Sequence, residues 1–457
     1  MSQKREVRDY IKQQLKKGRS KERIEKDLLD VGWREEDVRE AFNSLNGIKM
    51  KKIIPIIVFV IFVFSVGVGA YFLMDNGDKD LGFEEVDSSR LQIEMIDVPK
   101  EGNAYYTLSP LQAPPAGGED GVELIISDTD SYLDNLRDED WSQESAKKML
   151  DENEIFFEIF DEALEKDKYQ HPILGELYDL DSQSDYIHLR SREFGGANAI
   201  RSVYALNEGN EEKAIEEAMN IVRLGQKIWE GKSIIIEQLT ARGIQTRGFD
   251  TIERILPRVD IDSQKLIDYA EEIKEKSQEI EKEAIITVKM ENIFLQNTIE
   301  NDMADQLTER EMERVDFDKL FQLKDKIVQN EIDIINKPCY RTDEKDRVDL
   351  ENLNVSEKTK EMTETFNHAI TFNGPVCDSK LQFAQIETLF ALRAYEIDNG
   401  ELPESLSNLT PDYIPEIPED PFREGESLQY SKEERIIYSE KMNEVSKDER
   451  EDYKMEI

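Results

Sequence analysis

Histidine and cysteine are almost missing from this chain of 457 residues: three of the first, His171, His188 and His368, and two of the second, Cys339 and Cys377. The histidines lie far apart without His-Glu-x-x-His or His-x-His spacing, and no Cys-x-x-Cys occurs. Neither a zinc site nor a thioredoxin-like site is therefore indicated. The Gly-rich phosphate loops and the Gly-x-Ser-x-Gly elbow of serine hydrolases are absent too. Glu364 and His368 stand one helical turn apart, which is not the Glu-x-x-His spacing of di-iron bundles. Basic residues are also scarce, 59 Lys and Arg against 101 Asp and Glu, for a net charge of −42. Nucleic acid is not an expected partner, because phosphate binding needs a basic stripe that the sequence does not form. The acidity reads first as solubility, with cation binding or a basic partner as the sharper alternative. No cofactor is implied.

One segment lacks charge altogether, and it is the most informative in the chain. Ile53 to Met74 is an unbroken apolar run between Lys49, Lys51 and Lys52 on one side and Asp75, Asp78 and Asp80 on the other. A helix rising 1.5 Å per residue needs roughly 20 residues to cross the hydrocarbon of a bilayer, and an ionised group at its centre costs several kcal/mol. The run predicts one transmembrane helix over 53–74. It starts too far into the chain and is too long for a cleaved signal. Basic residues concentrate before it, so the N-terminus is expected to be cytoplasmic and the larger C-terminal part extracytoplasmic. Residues 1–52 hold 15 basic and 10 acidic residues, a net of +5 that suits an anionic inner leaflet and leaves −47 for the rest.

Before the run, residues 1–48 read as three short helices. Ser20 is a good N-cap, Gly32 suits a C-cap, and Glu35, Glu36 and Asp37 favour the third helix start. The stretch "LLDVGW" followed by "EEDVREAF" resembles the UBA-like three-helix modules found ahead of a first membrane helix in many prokaryotic proteins. That resemblance implies a docking surface for a cytoplasmic protein at Trp33 and Phe42. The plainer reading is that Trp33 plugs a miniature core.

After an acidic linker (75–90), residues 91–376 predict a helical domain, solenoid-like or an irregular bundle, and at this size two or more subdomains are expected. Leu91 to Val98 alternates as a short strand would. The clearest helical hairpin lies between Gly209 and Leu256, with a stripe through Ile215, Ala218, Met219, Val222, Ile228 and Trp229. Gly231 ends that helix, Ser233 is expected to cap the partner, and Pro257 stops it. The partner's expected buried face is Ile235, Leu239, Ile244, Ile252, Ile255 and Leu256. Gly225, Gly243 and Gly248 cost about 1 kcal/mol each inside helices, which fits close backbone approach. Residues 262–336 predict two long antiparallel helices, and two more follow at 356–372 and 379–399. Cys339 and Cys377 lie beyond the expected membrane helix, where a disulfide can persist, and a bridge would close a loop of about 39 residues; free thiols in a reducing niche are the alternative.

Residues 377–440 read as a helix stopped by Asn399 and Gly400, a one-turn helix opened by Pro403, an extended Pro-rich stretch and a hairpin of 428–430 with 436–438, before a charged tail at 441–457. The positions Arg393, Tyr395, Asn399, Gly400, Pro403, Leu406, Leu409, Pro411, Tyr413, Pro418, Asp420, Pro421 and Tyr438 resemble the C-terminal module of type II secretion major pseudopilins. They also resemble a group of uncharacterised membrane-anchored helical proteins of prokaryotes, with "NAYY" at Asn103 to Tyr106 as a further match. The pseudopilin resemblance implies calcium ligands at Asp398, Glu401 and Asp420, although no EF-hand spacing exists. The chain departs from pilins in its internal, uncharged membrane run.

The sequence thus points to a mainly α, single-pass envelope protein whose outer helical domain binds an envelope protein or wall polymer, with no catalytic residue to name. The alternatives are an envelope hydrolase using an acidic pair in a helical cleft, or an accessory protein of a secretion or pilus-like system.

Overall fold

A computed structural model describes residues 86, 88–93, 98–111, 141–170, 191–301, 314–342, 346–350, 353–443 and 454–457. The head (1–48) with Trp33 and Phe42, and the apolar run 53–74, lie outside them. No helix among the described residues is long and apolar enough to cross a membrane. The described residues within 77–296 and 314–457 gather into one compact unit.

The protein is mainly helical with one small antiparallel sheet. Its helices are α1 (Ala104–Leu108), α2 (Gln143–Glu152), α3 (Glu154–Glu165), α4 (Ser191–Asn207), α5 (Glu211–Trp229), α6 (Ile235–Ile255), α7 (Ser263–Ser277), α8 (Ile280–Asn301), α9 (Phe317–Ile335), α10 (Glu357–Ile370) and α11 (Asn373–Asn399). The described residues of 262–336 form three helices, and α7 packs mainly on α11 rather than on α8. The strand expected at Leu91–Val98 is not formed by its described residues; Ser88–Leu91 is a 3-10 turn.

The α5–α6 hairpin packs most extensively, with α4 against both helices. The expected stripe of α5 is fully buried, each large apolar side chain contributing roughly 1.5–3 kcal/mol. Two glycines let the backbones meet. A Cβ on Gly225 would lie 2.8 Å from the Ala241 carbonyl oxygen and 2.9 Å from the Gln245 nitrogen; on Gly248 it would meet Val222 Cγ2 at 2.6 Å. Gly243 is exposed instead, and Leu239, expected in the core, is 39% exposed. Ser233 does not cap α6, since its hydroxyl accepts from Gln238 Nε2. The free N–H of Ile235 donates instead to Glu291 Oε2 on α8 at 3.0 Å.

α11 is buried along much of its length, as a helix packed among others is. Phe383, Ile386, Leu389, Phe390 and Leu392 are buried, and the helix touches α6, α7, α9 and the sheet. It begins at Asn373, six residues before the expected start, because Pro375 sits in the first turn where its missing N–H costs nothing. Its N-cap, Phe372, offers no side-chain acceptor. Glu331 on α9 fills the role from a distance, accepting from the N–H groups of Phe372 at 2.7 Å and Asn373 at 2.8 Å. Gly400, at φ 78°, ends the helix as expected.

The one-turn 3-10 helix runs Leu406–Leu409, opened by a Ser405–Asn408 capping box and not by Pro403. Strands β1 (Gln429–Ser431) and β2 (Ile436–Tyr438) pair antiparallel, Tyr430 opposite Ile437. The charged tail ends in a third strand, β3 (Lys454–Glu456), placing Met455 opposite Ile437.

Candidate functional site

Two cavities stand out. The larger, about 720 Å³, lies among α5, α7, the start of α8 and the segment following α3. Asn103, 3% exposed, hangs that segment in place. Its Oδ1 accepts from Tyr105 N–H at 3.1 Å, starting α1, and from Gln170 N–H at 2.9 Å, while its Nδ2 donates to the Gln170 carbonyl. Tyr169 then lies against the end of α5, where a Cβ on Gly231 would come within 2.7 Å of its ring and its carbonyl. Gly231 is thus required by this approach as well as by the helix end.

The cleft is lined by Lys168, Arg223, Lys227, Lys232, Lys276 and Lys282 together with Glu165, Asp167, Glu230, Glu279 and Glu283. Six cations in one cleft of so acidic a chain is a concentration that net charge conceals. Arg223 forks onto Glu272 at 2.8 and 2.7 Å and also donates to Glu216 and Asn220. Tyr269 O–H donates to Glu216 at 2.8 Å, so the network ties α5 to α7. Burial alone would raise the Glu272 carboxyl, but the Arg223 fork outweighs it and the net shift is downward. Burial lowers Lys227, and Lys276 adds to that, against the opposite pull of Glu230 and Asp167. Burial pushes Glu283 up to about 7, with Lys282 opposing and Glu230 assisting.

The smaller cavity, about 470 Å³, lies between α3 and α4 and is lined by Glu154, Phe157, Glu158, Asp161, Arg201, Tyr204, Glu208 and Lys213 among others. Arg201 stacks on Phe157 and Phe160, its carbon 5.1 and 5.7 Å from the ring centres. It bridges Asp161, at 2.8 and 3.0 Å, to Glu217. Burial raises Glu217 although Arg201 opposes it.

Two carboxylate pairs share a cation: Glu279 and Glu283 of the larger cleft through Lys282, and Asp161 of the smaller one with the buried Glu217 through Arg201. An acid–base dyad needs one carboxyl holding its proton and the other free. In each pair the cation opposes the rise that burial causes, at Glu283 and at Glu217, without cancelling it.

Among the residues singled out from sequence, Cys339 and Cys377 are disulfide-bonded, their Cα atoms 5.8 Å apart. Asp420 is buried, and its oxygens accept from Phe422 N–H, Ser439 O–H and Glu440 N–H. Asp398 accepts from Tyr413 O–H at 3.1 Å, and Glu401 pairs with Lys432 at 3.4 Å. No group of His, Cys, Asp and Glu able to hold a metal occurs among the described residues. Tyr395, Asn399 and Tyr413 of the C-terminal motif touch one another, and Arg393 donates to the Val259 carbonyl, so these motif residues serve architecture. Glu364 and His368 are exposed on α10. Sequence reasoning did not find Arg223 and Lys227; their available signal was two cations one turn apart on a helix otherwise rich in Glu. Comparison with family models, with curated proteins and with solved structures gives no match.

Proposed function

We propose that the chain is a membrane-anchored binding protein, with 53–74 as its single span, the head on the cytoplasmic side and the helical unit outside as a scaffold for an envelope protein or wall polymer. Trp33 and Phe42 are the head's docking residues in this reading, and the UBA-like and pseudopilin-like resemblances are its architectural support. The observation that carries the binding reading is the cleft of about 720 Å³ in which six cations and five carboxylates face one space.

The test is in-cell crosslinking of the tagged full-length protein, with partners and crosslinked positions identified by mass spectrometry. Recurrent crosslinks from residues 141–301 to one or two envelope components are expected. Hydrolysis of a wall polymer by purified protein, lost on replacing Glu283 or Glu279, would reverse the choice in favour of an enzyme.

A further inference from the structure

Lys227 differs from its neighbours in the larger cleft. Arg223 has Glu272 and Glu216, and Lys276 has Glu272 at 3.6 Å. Lys227 forms no ion pair among the described residues. Two of its three N–H bonds go to the carbonyls of Leu164 and Lys166, where α3 ends, and an ammonium has three to give. A part-buried ammonium with a spare donor and another ammonium nearby is a receiving group for an anion. The same cleft, however, carries Glu165, Asp167 and Glu230 outside any ion pair among the described residues, and these would repel a polyanion while attracting an ammonium.

We infer that the cleft binds a short zwitterionic peptide, its carboxylate at Lys227 and its ammonium among Glu165, Asp167 and Glu230. The volume of about 720 Å³ falls in the range of small-ligand sites, and Val98, Leu164 and Tyr169 supply apolar contact. The peptide end of a wall polymer and the terminus of a protein share this chemistry. The inference rests on the binding reading above and names its ligand class.

The experiment is calorimetric titration of the full-length protein in nanodiscs with the tripeptide Ala-Lys-Ala. Binding is expected, weakened about tenfold or more when the peptide is amidated at its C-terminus or acetylated at both amines. K227M should abolish the response to the carboxylate while its thermal melt reports whether it folds. D167N, at an exposed site, should weaken the free peptide but not the acetylated one. Polyphosphate should not bind at the same concentration. Tighter binding of polyphosphate, equal affinity for the amidated peptide, or no binding of any peptide would overturn the ligand class. Crosslinks that map to the cleft alongside such a result would leave the binding reading standing, which separates the two failures. Extending the titration to muropeptide fragments and to protein C-terminal peptides distinguishes the two sources.

Discussion

The α5–α6 hairpin and the segment after Gly400 are both well packed, but their helix ends are completed by different means. In the hairpin, groups far apart in sequence complete each other: Gly225 fits the backbone of residues 241–245, and the start of α6 depends on Glu291, 56 residues away. After Gly400 the helix end and the one-turn helix are completed by near neighbours, while longer contacts such as Ser439 to Asp420 and Lys432 to Glu401 tie the module together. Ser405 and Asn408 cap one turn between them, and Asn399 reaches Tyr413 at a separation of 14. The difference teaches that the starts of α6 and α11 tolerate change poorly because their acceptors are remote, whereas the one-turn helix after Gly400 carries its own cap and tolerates change better there.

Several measurements would break or sharpen that contrast. The broadest effect should come from pH, because burial holds Glu253, Glu283, Glu291 and Glu387, all on α6, α8 and α11, up to about 7. Between their ordinary value of 4.5 and about 7 the folded state binds more protons than the unfolded one, so stability is full below 4.5, falls as pH rises and levels off above 7. Urea midpoints across pH 4.5 to 8 check the slope; a rising stability would contradict it. Next, C377S should lower stability by about 3–4 kcal/mol by the loop-entropy account, seen as an earlier denaturant midpoint under non-reducing conditions.

Gly225→Val should cost about 3 kcal/mol through overpacking, whereas Gly243→Ala, exposed on the same hairpin, should gain about 0.5–1 kcal/mol. Equal effects at the two glycines would dissolve the argument from close approach. E331A should cost about 2 kcal/mol, since two buried N–H groups lose their acceptor. S405A, the local counterpart, should cost only about 1 kcal/mol. Amide hydrogen exchange can localise both, at Phe372 and Asn373 in the first case and at Asn408 in the second.

Much of the helical skeleton was legible because apolar periodicity and helix punctuation act locally: the α5 stripe, the stop at Gly400 and the β1–β2 hairpin follow from neighbours in the chain. The start of α11 at Asn373 lies ahead of the range expected from sequence because a first turn accommodates Gly374 and Pro375. Ser233 does not cap α6 because Glu291 supplies the acceptor, and Glu291, like Glu331 at α11, looks like an ordinary surface acid until folding buries it. The cleft was hidden for a similar reason. Its cations come from α5, α7, α8 and a segment anchored by Asn103, and no linear pattern joins them.

The covalent link between Cys339 and Cys377 also has a mechanical side. A pull arriving along α9 would pass through the bridge straight into the first turn of α11, so residues 340–376, α10 included, lie off the load path. Those residues act as stored slack, sheltered while the bridge holds and paid out only if a reductant opens it. A protein tethered at one end and gripped at the other would thereby lengthen in response to redox conditions rather than to force alone.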